Sequence, residues 1–591
     1  METLKYILPV LVFAAGSAMT VAAEDSIVNR NITVEREFKP VIKDAGKINS
    51  APQTLEPKVE KPVAKFSDFN LPLNADYNIH TLPAAELQRE KRPDAKGGFA
   101  RLGIGNNVNT LADFAYPLIK SPETKLDFSL NHLGTFSSKA HSTTKAALSF
   151  DQYFKTFDLY AGLGGGHEYL KYYGYNFNKN NSVINLDTLA NSNGRDSYQE
   201  QNLVSINRTA KNFSVNELAN DSTGNTFWRF NIFAGVRSLP MTKGLRYQAE
   251  MQYKMFDARN GLTENLLHTK AGFNGQSEKN RMGLDLDMYN LSYKSNNPAI
   301  LNYLDAYTVL SMNPYYSIEH KHFDLRLGVK SSFSFVHGSP FSPSADIHAE
   351  WKAIPKYFSI YGGITGGYNV NTMDEMFSEN RYLYNDVRVK DTYSPYEFYA
   401  GLKIKPLYNL LLDGFVDYRR INNQYFFVNK EYKCDTVAGA YSTLFTNRFN
   451  VLYSGATQLK IGVRANYNVR NLVNVQFKGA YNGWEVTAPT EAYAWNKPKW
   501  EANLSTDFKV NHDLSFTANI FYEGERYAKL GNLLPIRMHD KVDINIGAAY
   551  SYNDWFTVFM KVNNLINTPY QDFYGYDVQG FNVLVGAAFS F

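Results

Sequence analysis

Apolar and polar residues alternate one by one over long stretches of this chain. In Lys541–Tyr552, Val542, Ile544, Ile546, Ala548, Tyr550 and Tyr552 fall on one face, and Lys541, Asp543, Asn545, Gly547 and Ser551 on the other. In Leu245–Met255, Leu245, Tyr247, Ala249, Met251, Tyr253 and Met255 oppose Arg246, Gln248, Glu250, Gln252 and Lys254. Phe323, Leu325, Leu327 and Val329 alternate with Asp324, Arg326 and Lys330, and Leu126, Phe128 and Leu130 with Lys125, Asp127 and Ser129. A period of two is the signature of a β-strand with two different environments on its faces.

Soluble β-sandwiches show the same alternation, but their strands average about 5–6 residues. The segments here run to about 10–14 residues, the length a tilted strand needs to cross a bilayer. The charged face must then line the interior, because a Lys or Arg on a barrel's lipid face costs roughly 2–4 kcal/mol at mid-bilayer. A register slip of one residue would turn the whole charged row outward. The predicted luminal wall therefore carries Arg246, Glu250, Lys254, Asp285, Asp287, Asp324, Arg326 and Lys330. Such mixed charge fits contact with a solute or an inserted plug, and equally the ordinary polarity of a lumen.

Candidate strands centre near residues 102, 115, 130, 148, 164, 232, 251, 270, 287, 312, 329, 348, 364, 399, 415, 463, 478, 504, 520, 545, 561 and 584. That gives about 22 strands, an even number that leaves both ends in the periplasm; the segments near 312 and 463 leave about 20 or about 24 open. The fold class is thus all-β, a transmembrane antiparallel barrel over 98–591. Connections assigned to the periplasm are short, as at Lys155-Thr156, Pro355-Lys356, Asn511-His512 and Asn553-Asp554. The long ones, about 173–224, 372–392, 422–456 and 485–496, all fall outside.

Residues 1–23 read as a secretory signal, with Lys5, the apolar stretch Ile7 to Ala15, and Val21-Ala22-Ala23 before Glu24. Residues 24–97 form a leader carrying Pro40, Pro52, Pro57, Pro62, Pro72, Pro83 and Pro93, a density that denies regular strands and helices. Past residue 23 no run of apolar residues is long enough for a transmembrane helix, so a secreted chain enters a membrane here only as a closed barrel. Composition agrees: aromatics are 15% of the chain, with 42 Tyr and 40 Phe. Net charge is +4 and basic residues form no aromatic-interleaved run, so no nucleic-acid partner is expected. The single cysteine, Cys434, excludes an intrachain disulfide and reads as an incidental loop residue.

Trp555-Phe556-Thr557-Val558-Phe559-Met560-Lys561-Val562-Asn563-Asn564-Leu565-Ile566-Asn567-Thr568-Pro569-Tyr570 resembles the penultimate-strand motif of TonB-dependent receptors. The last strand puts Phe581, Val583, Val585, Ala587, Phe589 and Phe591 on one face, similar to the terminal signal read by the barrel-assembly machinery. The resemblance covers about 98–591 and implies an outer-membrane barrel of a Gram-negative bacterium engaged in solute transport. It fails at the N-terminus, where receptors of that family carry a globular plug and this chain has only the Pro-rich leader. Glu35-Arg36-Glu37-Phe38-Lys39-Pro40-Val41-Ile42 with Ala45-Gly46-Lys47-Ile48 resembles the leader of plug-less, receptor-like barrels of the Bacteroidota. Asn31-Ile32-Thr33-Val34 faintly resembles a TonB box.

Side chains alone do not fill so wide a barrel. The leader 24–97, the outer loop 173–224 or an accessory periplasmic or surface protein is expected to close it. No enzymatic activity, cofactor or metal is expected. Glu319-His320-Lys321-His322 sits in a polar turn, and His539 and Asp540, adjacent on a strand, point to opposite faces. The run Gly162 to Gly166 lacks the following helix of a phosphate loop and reads as a place of close backbone approach. A transport barrel leads; a scaffold subunit of an outer-membrane complex is the alternative.

Overall fold

A computed structural model describes residues 97–591, apart from 175–181, 184–203, 206–223 and the connecting residues 240–243, 260–261, 278, 296–304, 385–386, 436–440, 471 and 531–534. The signal, the leader, the TonB-box-like Asn31, Ile32, Thr33 and Val34, and most of the expected 173–224 loop lie outside the described residues.

Among the described residues, one antiparallel sheet of 22 strands closes on itself. Its strands run Phe99–Gly105, Asn109–Lys120, Thr124–Thr135, His141–Tyr153, Phe157–Leu170, Asn225–Ser238, Leu245–Ala258, Leu262–Ser277, Asn280–Ser295, Tyr307–Glu319, Phe323–Phe335, Ser342–Ile354, Phe358–Asn369, Thr392–Leu407, Leu410–Asp435, Tyr441–Val469, Val473–Val486, Trp500–Lys509, Leu514–Gly524, Lys541–Ser551, Phe556–Asn563 and Asn582–Ser590. Every centre inferred from the alternation falls inside one of them, including those near 312 and 463. The first strand closes the cylinder by pairing on one side with Asn109–Lys120 and on the other with Asn582–Ser590, where Leu102 faces Ala587. Backbone bonds of 2.6 and 3.0 Å between Gly98 and Phe591 seal the seam.

The two faces differ as the pattern requires. Ile104, Met251, Met282, Trp351, Val463 and Val585 stand exposed on the outer face. Exposed aromatics cluster at both rims: Tyr116, Phe154, Tyr357, Tyr408, Tyr552, Trp555 and Phe591 at one, Phe136, Trp228, Phe335, Phe341, Trp500 and Phe581 at the other. An apolar band between two aromatic girdles is the surface of a membrane-spanning barrel. No helix among the described residues is long and apolar enough to cross a membrane.

The rims also differ. At the rim of Gly98 and Phe591 the turns are short, from Tyr153 to Phe157 or Ile354 to Phe358. At the opposite rim the chain travels from Leu170 to Asn225, Asn369 to Thr392, Gly524 to Lys541 and Asn563 to Asn582 between barrel strands. Short periplasmic turns and long outer loops orient bacterial barrels, so both described ends are periplasmic. One expected loop is not a loop. Residues 422–435 and 441–456 continue the strands Leu410–Asp435 and Tyr441–Val469, paired from Leu410 opposite Tyr467 to Asp435 opposite Tyr441. The ladder shifts register between Ile421 and Gln424, and Asn423 takes a φ of 56°, which interrupts the alternation that marks a strand.

A recurrent device stiffens the luminal wall. Tyr160 lies across Gly235 of the next strand, and its hydroxyl reaches Glu250 one strand further, at 2.9 Å. Tyr361 likewise lies across Gly401 and donates to Asp413 at 2.8 Å. A Cβ on either glycine would sit 2.4 Å from the ring, so the missing side chain is what lets the tyrosine lie flat. Gly162, under Phe233, is a close-approach position of the same kind.

Candidate functional site: a segment across the outer mouth

A wall of strands spaced about 4.8 Å apart and tilted about 40° gives a 22-strand barrel a diameter of roughly 44 Å. What occupies that width decides what the molecule can do. The described residues of the segment 370–391, which joins Phe358–Asn369 to Thr392–Leu407, fold inward rather than away from the outer rim.

The segment opens with a helix, Met373–Glu379, whose start is secured twice. Thr372 caps it, accepting the Glu375 N–H at 3.1 Å. The buried Glu264 carboxylate, on the wall strand Leu262–Ser277, accepts the N–H groups of Met373 at 2.7 Å and Asp374 at 3.2 Å. These bonds satisfy donors that every helix start leaves orphaned. Met373, Met376 and Phe377 form the buried face. The Phe377 ring sits 5.2 Å from that of Phe227 and 5.4 Å from that of Phe256, both luminal side chains of neighbouring strands. Arg229 ties the polar side down, donating to Asp374 at 2.5 Å and to Glu168 at 2.6 Å.

The rest of the segment meets a different part of the wall. Tyr384 N–H donates to the Phe449 carbonyl at 2.8 Å, and Phe449 N–H to the Tyr382 carbonyl at 3.0 Å. Arg448 is 1% exposed, and its Nε donates to the carbonyls of Tyr382 and Leu383. Tyr382 stacks on Tyr576 of a short hairpin between the last two barrel strands, with ring centroids 3.5 Å apart. Glu379 accepts from Tyr425 at 2.5 Å and from Lys497 at 2.8 Å. At the return root, Asp391 accepts from Tyr307 at 2.9 Å, Tyr368 at 2.8 Å and the Asn371 N–H at 3.2 Å. One cluster therefore joins Leu170, Phe227, Phe256 and Leu262 from one side of the barrel to Phe427 and Phe449 from another, through the segment and Tyr576. Burying each large apolar side chain stabilises this arrangement by about 1.5–3 kcal/mol.

The predicted luminal wall is brought together as cross-strand pairs. Arg326 donates to Asp346 at 2.8 Å, approaches Asp285 at 3.7 Å and lies 3.7 Å over the Tyr315 ring. Asp324 pairs with Lys352 at 2.6 Å, and Asp287 with His268 at 3.1 Å. Lys330 reaches Thr365 at 2.9 Å and Asp346 at 3.8 Å. Arg246, Glu250 and Lys254 share one face of Leu245–Ala258, with Lys270 opposite Glu250. These charges answer one another within the wall and do not converge on one point. Of the terminal row, Phe581, Val585 and Phe591 are exposed, Phe591 stacks 6.2 Å from Tyr116, and Phe589 stacks 6.3 Å from Trp555; Val583 shares their face by alternation. His320 stacks on Phe323 in a periplasmic turn, and Asp540 accepts from Tyr522 at 3.0 Å and Glu525 N–H at 3.2 Å, both structural arrangements.

The inward segment escaped the sequence reading, though one local signal was present. Thr372-x-x-Glu375, with Met373, Met376 and Phe377 on one helical face, is a capping-box pattern in front of an apolar stripe. A cavity of about 230 Å³ lies at the segment's two roots, lined by Asn369, Asn371, Thr392, Arg419, Tyr425 and Trp484 among others.

Closed sheet, apolar belt and loop asymmetry together define an outer-membrane β-barrel. No family model matches the chain, and no curated protein does either. Solved structures do share its fold. At 11% identity and a TM-score of 0.57, 84% of the chain overlays 82% of the ferric-catecholate import receptor Fiu from E. coli K12. FpvA of P. aeruginosa gives 13% identity and a TM-score of 0.57 over 85% of this chain and 72% of that one. The copper transporter OprC gives 11% and 0.57 over 84% and 81%. At such identities the likeness is one of fold.

Proposed function

We propose that this chain is a TonB-dependent-receptor-like barrel that passes a solute across the outer membrane, and that its own segment 370–391 takes the closing role a plug has elsewhere. The observation that carries this reading is the segment's anchorage to well-separated parts of the wall, through Arg229, Glu264 and Phe377 on one side and Arg448 and Tyr382 on the other. The neighbours' printed names, an import receptor and a copper transporter, support transport as the use of such a barrel. Asn31–Val34 of the Pro-rich leader would serve as the contact with TonB. A scaffold role is favoured by one feature, the long paired strands Leu410–Asp435 and Tyr441–Val469, which offer a ladder to a surface partner.

Conductance in planar bilayers tests the first reading. The intact protein is expected to pass little current. Replacing 373–390 by a short Gly/Ser linker should give a large, stable conductance. A correctly folded deletion that stays closed would defeat the closing role of the segment. A large current through the intact protein, unchanged by the deletion, would do the same.

A further inference from the structure

Several guanidinium groups of the luminal wall are met by carboxylates. Arg101 pairs with Asp113, Arg229 with Asp374, Arg237 with Asp158, Arg326 with Asp346 and Arg464 with Asp413. Arg419 departs from this pattern. Its Nε donates to Gln458 at 2.6 Å, and among the described residues no carboxylate lies within ion-pair distance of it. Gln458 is itself held: it donates to Asn482 at 3.0 Å, and Asn482 donates to the Pro498 carbonyl at 3.4 Å. Gln458 and Asn482 are both buried, so the relay fixes the guanidinium from behind. In front of it is the cavity at the segment's roots, where Trp484 presents its ring 6.0 Å from the guanidinium carbon.

We propose that this cavity binds a ring-bearing carboxylate, with Arg419 taking the carboxylate and Trp484 the flat face of the ring; the proposal rests on the transport reading for the identity of this occupant as a solute. A guanidinium fork matches a carboxylate in two parallel hydrogen bonds. Lys497, the cavity's other cation, is already paired with Glu379 at 2.8 Å. Glu397, opposite Arg419 in the ladder, and Asp417, two residues along, share its face beyond ion-pair distance and do not line the cavity, so Arg419 is the cation that faces an occupant. A cavity of about 230 Å³ has room for one small ring and its carboxylate. Asn371 and Thr392, which line the cavity, are the two roots of the crossing segment and are bonded to each other at 2.8 Å. An occupant therefore touches the segment where it leaves and rejoins the wall.

Two sources share this chemistry, a sugar acid and an aromatic acid, and calorimetry on the full-length protein in detergent separates them. The probes are glucuronate and 4-hydroxybenzoate, with glucose and phenol as their uncharged counterparts and inorganic phosphate as a ringless anion. Saturable binding is expected for at least one of the two carboxylates, and binding about tenfold weaker or worse for the neutral rings and for phosphate. Arg419→Gln should lose about tenfold, Arg419→Lys should recover part of the loss, and Trp484→Leu should abolish the preference over phosphate. Retained heat-modifiable migration of each variant on a gel keeps a folding failure distinct from a binding failure. Equal binding of the neutral rings, unchanged binding by Arg419→Gln, or no saturable binding of either carboxylate at millimolar concentration would overturn the proposal. The measurement needs no membrane, so a barrel that conducts after deletion of its segment but binds neither acid would retain its function and lose this site.

Discussion

At the scale of single residues, the crossing segment depends on a few groups whose loss leaves partners stranded. Arg448 bonds the carbonyls of Tyr382 and Leu383, and its guanidinium lies 3.9 Å over the Tyr172 ring. Arg448→Leu keeps bulk and removes the donors; the Tyr382 carbonyl keeps the Phe449 N–H, but the Leu383 carbonyl loses its guanidinium partner, at a cost of about 1–3 kcal/mol. Trypsin in the outer medium should then cut after Arg381, where the intact protein should resist; equal resistance in the variant would show that Arg448 is not an anchor. Asp391 sets a pH dependence. Burial pushes its carboxyl above the ordinary aspartate range, against the hydroxyls of Tyr368 and Tyr307 and the Asn371 N–H, which favour the charged form. An acid raised in the folded state costs stability where it is ionised there, and that cost vanishes below its unfolded pKa. The return root should therefore be firmer at mildly acidic than at neutral pH. Hydrogen exchange of the amides near Asn371, corrected for intrinsic rate, should slow as pH falls through the raised pKa, and Asp391→Asn should flatten that trend.

At the scale of elements, the helix Met373–Glu379 is too short to be stable alone, since isolated helices below about 12–15 residues are marginal in water. Its apolar face and its caps hold it. Phe377→Ala opens a void between Phe227 and Phe256 and should cost about 3–5 kcal/mol. If the segment opens as a unit, about 3 kcal/mol is a roughly hundredfold rise in the open population. A Leu383→Cys reporter, with Cys434 replaced by Ser, should be labelled faster by a membrane-impermeant thiol reagent in that proportion. A change of less than about threefold would mean that helix and Leu383 move separately. These elements also show where sequence reading ends. Strands were legible because alternation is local: Val542 to Tyr552 declares its face without reference to any partner. The inward turn of 370–391 is not local. Glu264 and Met373 stand 109 positions apart, and no neighbouring residue records that they meet. The strands through 422–456 were hidden for another reason, the break in register at Asn422-Asn423, which looks like a turn when the ladder beside it is unseen.

At the scale of the whole molecule, the barrel is one decision repeated 22 times: which face of each strand meets lipid. Register fixes that decision around the ring, because Gly235 faces both Tyr160 and Glu250, and the seam at Leu102 and Ala587 leaves no strand free to slip. Two adjacent residues test it directly. Leu163 is 42% exposed on the outer face near the middle of Phe157–Leu170, and Gly164 is its luminal neighbour, where an added Cβ would find nothing closer than 3.8 Å. Lysine at the first position would stand in hydrocarbon, at a cost of about 2–4 kcal/mol. Lysine at the second would point into a polar lumen that already holds Lys145 and Arg229 on the flanking strands, and should cost less than about 1 kcal/mol. Denaturant unfolding in lipid vesicles should therefore place Leu163→Lys well below the intact protein and Gly164→Lys close to it. The reverse order would mean that the apolar belt is not the lipid face. Equal and small losses would mean that residue 163 sits beyond the hydrocarbon, and would move the membrane along the barrel without changing which face it touches.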